Sequence, residues 1–233
     1  MEVNMECYCC ETETGFCLHV KDVEDARLED AIRHAWFEKT ANGFIKVYPM
    51  KDMDNGVTEL DKEIVSENFA RLGRSMFEGM LNCNWEEALL TFAKKCKDND
   101  IEWNVFGSIS EKIIGVDVKP HDIDIFVHTK DFFKVKDIFR DYVVEPFVDN
   151  KGVWLVRYFG RLCLDGVLFD IAAEDKLNRI NHNYDKVVWN NYDIYVEPLQ
   201  IRYSIELERK REDRLKAMEL YMNANGINYV SRK

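Results

Sequence analysis

Two aspartates, Asp122 and Asp124, stand one residue apart in the run DIDIFVH (122–128), whose remaining residues are mostly strand formers. Side chains two apart on a strand point to the same face. The two carboxylates therefore project together, while Ile123 and Ile125 face the packed side. Carboxylates this close raise each other's proton affinity unless a cation stands between them. Magnesium suits the pair, because it takes hard oxygen ligands and joins carboxylates to substrate phosphates. Solvated acids at a strand edge would give the same pattern, so the pair needs company to carry meaning.

Two further features supply it. Gly107-Ser108 ends the apolar run IEWNVF (101–106), at an expected strand-to-helix junction. Glycine lets a backbone approach closely, and the N–H groups at a helix start, with a serine hydroxyl, can hold phosphate oxygens. The plainer alternative is a turn with Ser108 as helix N-cap. Asp170 is an acid inside the apolar strand GVLFDIA (166–172). A lone buried carboxylate is costly, so it needs a metal or a salt-bridge partner such as Arg157 or Arg161. Strand, Gly-Ser, helix, Asp-x-Asp strand and a later acid-bearing strand fit phosphoryl transfer assisted by two magnesium ions.

The elements that must position these groups follow from periodicity. GFCLHVKD (15–22) and FIKVYP (44–49) read as strands on either side of a helix over 24–38, striped by Leu28, Ala31, Ile32, Ala35 and Trp36. KDMDNGVTELD (51–61) reads as a linker. Helices are expected with Val65, Phe69, Leu72, Met76 and Met80 on one face, then Trp85, Ala88, Leu89, Phe92, Ala93 and Cys96 on another. Strands are expected at 101–107, 122–128, 152–159, 166–174 and 193–198, a helix at 130–141, and two helices over 199–224 meeting near Arg211–Asp213. Strands mixed with helices in this order predict an α/β (α+β) core, a mixed sheet flanked by helices. The expected division is an N-terminal strand-helix-strand extension over 1–58, a catalytic core with leading helices over 59–198, and a C-terminal helical segment over 199–233.

The stretch WNVFGSISEKIIGVDVKPHDIDIFVHTKDFFKV, with the later LFDIA, resembles the nucleotidyltransferase superfamily that includes DNA polymerase beta. Within it the likeness is to small bacterial enzymes such as aminoglycoside and lincosamide adenylyltransferases, over roughly residues 85–215. The resemblance implies that Gly107 and Ser108 hold nucleotide phosphates and that Asp122 and Asp124 ligate the magnesium ions. It makes Asp170 the third carboxylate, bridging metal or taking the proton of the acceptor hydroxyl. A nucleoside monophosphate would pass from a nucleoside triphosphate, ATP foremost, to a hydroxyl of a small molecule, an antibiotic being one such acceptor. A protein target, as in toxin–antitoxin pairs, and a non-catalytic nucleotide-binding module are the alternatives. The gap from Gly-Ser to Asp122 is longer than in many members, and residues 1–60 match nothing in the pattern. Lys112, Arg157, Arg161 and Lys210 are candidate phosphate contacts that no motif fixes, with structural roles the foremost reading of each, and His121 reads equally as a tuner of Asp122 or as a surface loop histidine after Pro120.

Composition bounds the rest. The net charge is -11, which disfavours stable nucleic-acid binding. Basic residues outnumber acids in RYSIELERKREDRLK (202–216), read foremost as a solvated helix face and alternatively as an anion-binding wall. No apolar run approaches the roughly 20 residues that span a bilayer, and the N-terminus lacks a secretory pattern, so a cytoplasmic location without membrane partners is expected. Seven cysteines, an odd number without a secretory pattern, read as reduced thiols; four of them, Cys7, Cys9, Cys10 and Cys17 with His19 nearby, are spaced irregularly, so buried or incidental thiols are expected foremost and a structural metal is the alternative. A homodimer stays open.

Overall fold

The computed structural model describes residues 5–154, 156–175 and 184–229. Strands β1 (Glu6–Thr12) and β2 (Gly15–Lys21) form a hairpin, followed by helix α1 (Ala26–His34) and strands β3 (Glu38–Thr40) and β4 (Gly43–Pro49). They make a four-stranded antiparallel sheet in the order β1-β2-β4-β3. Alternation builds it: Phe16, Leu18 and Val20 of β2 and Phe44 and Tyr48 of β4 are all buried. Helix α1 starts where the Asp25 carboxylate accepts from the Arg27 amide, and it buries Leu28, Ala31 and Ile32. The region thus carries two strands beyond the strand-helix-strand expected. The first was masked because its run ECYCCET has few branched or aromatic residues to announce a strand.

The expected linker is mostly helical. A short turn α2 (Met50–Met53) buries Asp52 and Met53, and α3 (Glu59–Leu81) begins at a capping box between Thr58 and Asp61. Helix α3 joins the two sheets. Its Phe69 and Phe77 meet Phe37 of the N-terminal region at ring-centroid distances of 6.0 and 5.6 Å. On the other side, the Asn68 amide donates to the carbonyls of Arg140 and Val143. One continuous hydrophobic core therefore runs from the small sheet through α3 into the large one.

The second unit continues through α4 (Trp85–Asp98), β5 (Trp103–Phe106), α5 (Gly107–Ile114), β6 (Ile123–Val127), α6 (Phe132–Ile138), β7 (Val143–Asp149), β8 (Tyr158–Leu164) and β9 (Val167–Ala173). Strands β10 (Asp185–Trp189) and β11 (Tyr192–Val196) and helices α7 (Leu199–Arg209) and α8 (Glu212–Ala224) complete it. The seven strands lie in the order β10-β11-β5-β6-β9-β8-β7. Pairs β6–β9 and β11–β5 are parallel and the others antiparallel. The architecture is the mixed α/β sheet flanked by helices that the element order predicts.

Two strands of the seven-stranded sheet carry no signal in the sequence. β7 (VVEPFVD) holds a proline and two acids yet is buried throughout, and β10 is a short, mostly exposed edge strand. The strand expected at 152–159 begins only at Tyr158, because Asn150 takes the preceding chain into turns, accepting from the Gly152 and Trp154 amides. Among the described residues no helix is long and apolar enough to cross a membrane.

Candidate active site

The sheet sets the acids side by side. Strands β6 and β9 run parallel with Asp124 opposite Asp170, and on the other flank Phe106 of β5 lies opposite Asp124. Asp122, one residue before β6, shares the face of Asp124, and Ile123 and Ile125 are fully buried on the reverse. Helix α5 starts at Gly107, whose φ of +69° lies in the left-handed region. A Cβ there would sit 1.8 Å from Asp124 Oδ2, so glycine alone lets the helix start touch that carboxylate. Ser108 follows inside the helix, buried, and is not its N-cap; that position is Phe106. All five residues line one cavity of about 550 Å³.

The carboxylates are held against their preference. Asp122 reaches the cavity surface but is otherwise wrapped by protein. Burial, then the charge of Asp170, pushes its carboxyl up to about 6, while Arg161 and His121 pull the other way. Burial raises Asp124 well above the usual carboxylate range, reinforced by Asp122 and Asp170 and opposed by Arg202 and Arg214. Burial and mutual repulsion together disfavour the charged form of both acids.

Asp170 differs, because a guanidinium already serves it. Arg161, its cross-strand partner on β8, donates from Nε to Oδ1 at 2.7 Å and from Nη2 to Oδ2 at 3.2 Å. Of the two partners considered for this acid, Arg161 is the one the fold supplies. Arg161 is fully buried, and its Nη1 also donates to the Ala35 carbonyl at 2.6 Å and to Glu145 Oε1 at 3.1 Å. The other oxygen of Glu145 accepts from Lys46 Nζ and the Tyr48 hydroxyl, both on β4. Among the described residues, no three His, Cys, Asp or Glu side chains gather tightly enough to form a metal cage. The donor set that fits a hard divalent cation is the pair Asp122 and Asp124, with Asp170 turned onto Arg161.

Of the four cations proposed for phosphates, only Arg161 lines the cavity. Arg157 pairs with Asp149 and Asp175, Lys112 lies 3.9 Å from Asp117, and Lys210 forms the left-handed C-cap of α7. The cavity is lined as well by Arg202, Arg209, Arg211 and Arg214, from the basic segment whose foremost reading is a solvated face. Buried Glu206 organises that wall: its Oε1 accepts from Arg202 at 2.5 Å and lies 3.6 Å from both Arg211 and Arg214. Arg202 also binds Glu111 of α5 through Nε and Nη2 at 2.9 and 2.8 Å. The opposite wall, which no sequence signal disclosed, is aromatic: Trp36, Tyr48, Trp154 and Phe159. His121 binds the Met80 carbonyl through Nδ1 and faces the ring of His34 at 5.6 Å. The N-terminal thiols lie elsewhere; burial pushes Cys7 and Cys9 up to about 12, and Cys10 sits 3.3 Å from His19.

No family model and no curated protein matches the chain. Among solved structures it is similar to a Thermotoga maritima protein assigned as a nucleotidyltransferase, 23% identical, with a TM-score of 0.44 over 59% of this chain and 92% of that one. It is also similar to the aminoglycoside nucleotidyltransferase ANT(2")-Ia in complex with adenylyl-2"-tobramycin, 10% identical, with a TM-score of 0.40 over 60% and 92%. A third is a nucleotidyltransferase-like antigenic protein of Paracoccidioides brasiliensis, 11% identical, with a TM-score of 0.37 over 55% and 72%.

Proposed function

We propose that the chain is a magnesium-dependent nucleotidyltransferase that moves a nucleoside monophosphate from a nucleoside triphosphate, ATP foremost, to a hydroxyl of a small molecule. One observation carries this reading. A single cavity joins the Gly107-Ser108 helix start, the Asp122–Asp124 pair, the Arg161-bound Asp170 and four arginines. The triphosphate would lie between the arginine wall and the α5 amides, where both positive charge and backbone donors converge. Asp122 and Asp124 would hold magnesium, which supplies charge neutralisation at the reacting phosphate. Asp170, oriented by both its bonds to Arg161, would receive the proton of the acceptor hydroxyl. The acceptor oxygen bonds to the α-phosphorus, the bond to the bridging oxygen breaks, and pyrophosphate leaves with that electron pair. Positioning and charge do the rest. The cavity volume, about 550 Å³, is that of a small-molecule site, which favours a small acceptor over a protein.

The test is calorimetric titration with ATP and GTP, with and without magnesium, beside Asp124→Asn. Magnesium-dependent binding should be present in the wild type and lost, at least tenfold, in the variant, with circular dichroism unchanged. Equal binding by both proteins would refute the site.

A further inference from the structure

The cavity has two walls of opposite chemistry, and the sheet order separates them. In the series β11-β5-β6-β9-β8, Arg202, Arg209, Arg211 and Arg214 belong to the β5 side, carried by α7, α8 and the turn between them and tied to α5 through Arg202 and Glu111, while Arg161 stands on β8. Trp36, Trp154 and Phe159 belong to the β8 side. Between them lie the carboxylates of β6 and β9.

Trp36 is the conspicuous residue of the aromatic wall. It is 60% exposed, the largest exposed aromatic in the described structure, whereas Phe37 beside it is buried. Its φ of +69° is that of the residue closing α1 in a Schellman turn, in which the Trp36 amide donates to the Arg33 carbonyl and the Phe37 amide to the Ile32 carbonyl, so the end of the helix sets where the ring stands. Its ring stacks on Phe159 at 5.5 Å and 26°, with the Arg161 guanidinium 4.8 Å and Lys46 Nζ 5.3 Å from its centroid. Trp154 meets Phe159 at 6.1 Å and Tyr48 at 6.0 Å. Beneath them Phe126 and Ala172 extend the floor, two residues beyond Asp124 and Asp170 on the same strand faces. The result is an apolar aromatic shelf bordering Asp170.

The charges on this shelf are already matched. Lys46 is paired with Glu145, and Arg161 with Glu145 and Asp170. Among the described residues, the carboxylates lining the cavity are Asp122, Asp124 and Asp170, against Lys46 and five arginines. A polyamino sugar would find no free counter-charge here and would face those cations instead. A flat ring would find a stacking surface.

In-line displacement sets the attacking hydroxyl opposite the leaving pyrophosphate. With phosphates on the arginine wall, the acceptor comes from the shelf, beside Asp170. We infer, resting on the nucleotidyltransferase reading, that the shelf is the acceptor subsite and that the acceptor is a planar aromatic molecule bearing the hydroxyl that is nucleotidylated. Trp36 is its specificity-determining residue.

The experiment uses the full chain, with Trp36→Ala and Trp36→Phe; the exposure of this side chain allows both variants to fold. Adenosine 5′-(α,β-methylene)triphosphate with magnesium probes the nucleotide site by calorimetry. Pyrophosphate release and product mass are then measured with ATP and a panel of phenols, aromatic hydroxy acids and nucleosides, and with tobramycin. The expected result is transfer to a member of the aromatic panel and none to tobramycin. Trp36→Ala should raise the acceptor KM at least tenfold with the analogue's Kd within twofold, and Trp36→Phe should restore most of the loss. Transfer to tobramycin, an unchanged acceptor KM, or nucleotide binding with no aromatic acceptor used would each overturn the inference. So would equal weakening of analogue and acceptor, which would give the shelf to the nucleobase. Failure of the wild type to bind the analogue would instead overturn the underlying nucleotidyltransferase reading.

Discussion

Asp122 is a carboxyl that the fold makes reluctant to ionise, and its position in the site follows from a single strand period. Two-residue spacing sufficed to pair it with Asp124, and the Gly-Ser junction sufficed to put a helix start against them. What the sequence left open was the state of Asp170, because a partner nine residues away becomes its neighbour only when β8 and β9 form their hairpin. Trp36 and Lys46 were illegible as site residues for the same reason in stronger form: they reach the cavity from a region with no recognisable motif. The raised proton affinity of Asp122 has a measurable consequence. A carboxyl whose folded value lies near 6, above its unfolded value, stabilises the fold fully only below the unfolded value, near pH 4. That contribution is lost as the pH rises through about 6. In chelator, the Tm of the wild type should therefore fall relative to Asp122→Asn between pH 4 and pH 7. Magnesium should recover the difference at pH 7, since it supplies the missing positive charge. A Tm gap independent of pH and magnesium would mean that burial does not oppose this charge.

Strand β7 shows how an element can be hidden by the residues that make it matter. Its run VVEPFVD has a proline and two acids, so periodicity disowns it, yet every residue is buried. Glu145 is tolerable there only because β4 delivers Lys46 and Tyr48 and β8 delivers Arg161. Burial opposes its ionisation, but Arg161 and Lys46 outweigh that and hold its carboxyl below the usual range. Burial likewise pushes the Lys46 ammonium down to about 8 despite its partner. Removing the shared acid leaves two buried cations facing Asp170 alone. Breaking such a network by deleting one partner typically costs about 3–5 kcal/mol. Glu145→Gln should lose about 3 kcal/mol in urea unfolding at pH 7, the low end, since Lys46 can shed its proton. It should also loosen the hold on Asp170. A loss below about 1 kcal/mol would show that the strands are not coupled through this acid.

Across the whole molecule, the N-terminal sheet is built into the site. The fold class and the order of the elements that carry the carboxylates could be read from alternation and from the helix stripes, since these depend on neighbours in sequence. The join between the two sheets could not, because it rests on α3 presenting apolar residues to both sides. Gly73 of that helix admits Cys7 of β1 so closely that an added Cβ would lie 2.8 Å from its sulfur. The same helix ties down the start of β7 through Asn68. A chain beginning at residue 59 would expose the surface of Phe69 and Phe77 that Phe37 covers, and would strip Lys46, Tyr48 and the Ala35 carbonyl from Glu145 and Arg161. Exposed apolar area of that extent and unpaired buried charge each exceed what a marginally stable fold tolerates. The truncated chain 59–233 should therefore show no cooperative urea transition and should bind a dye selective for exposed apolar surface, whereas the full chain should unfold in a single step. If the truncation instead unfolds cooperatively and binds magnesium nucleotide as the full chain does, the carboxylate site is self-sufficient. The N-terminal sheet would then serve the acceptor shelf alone.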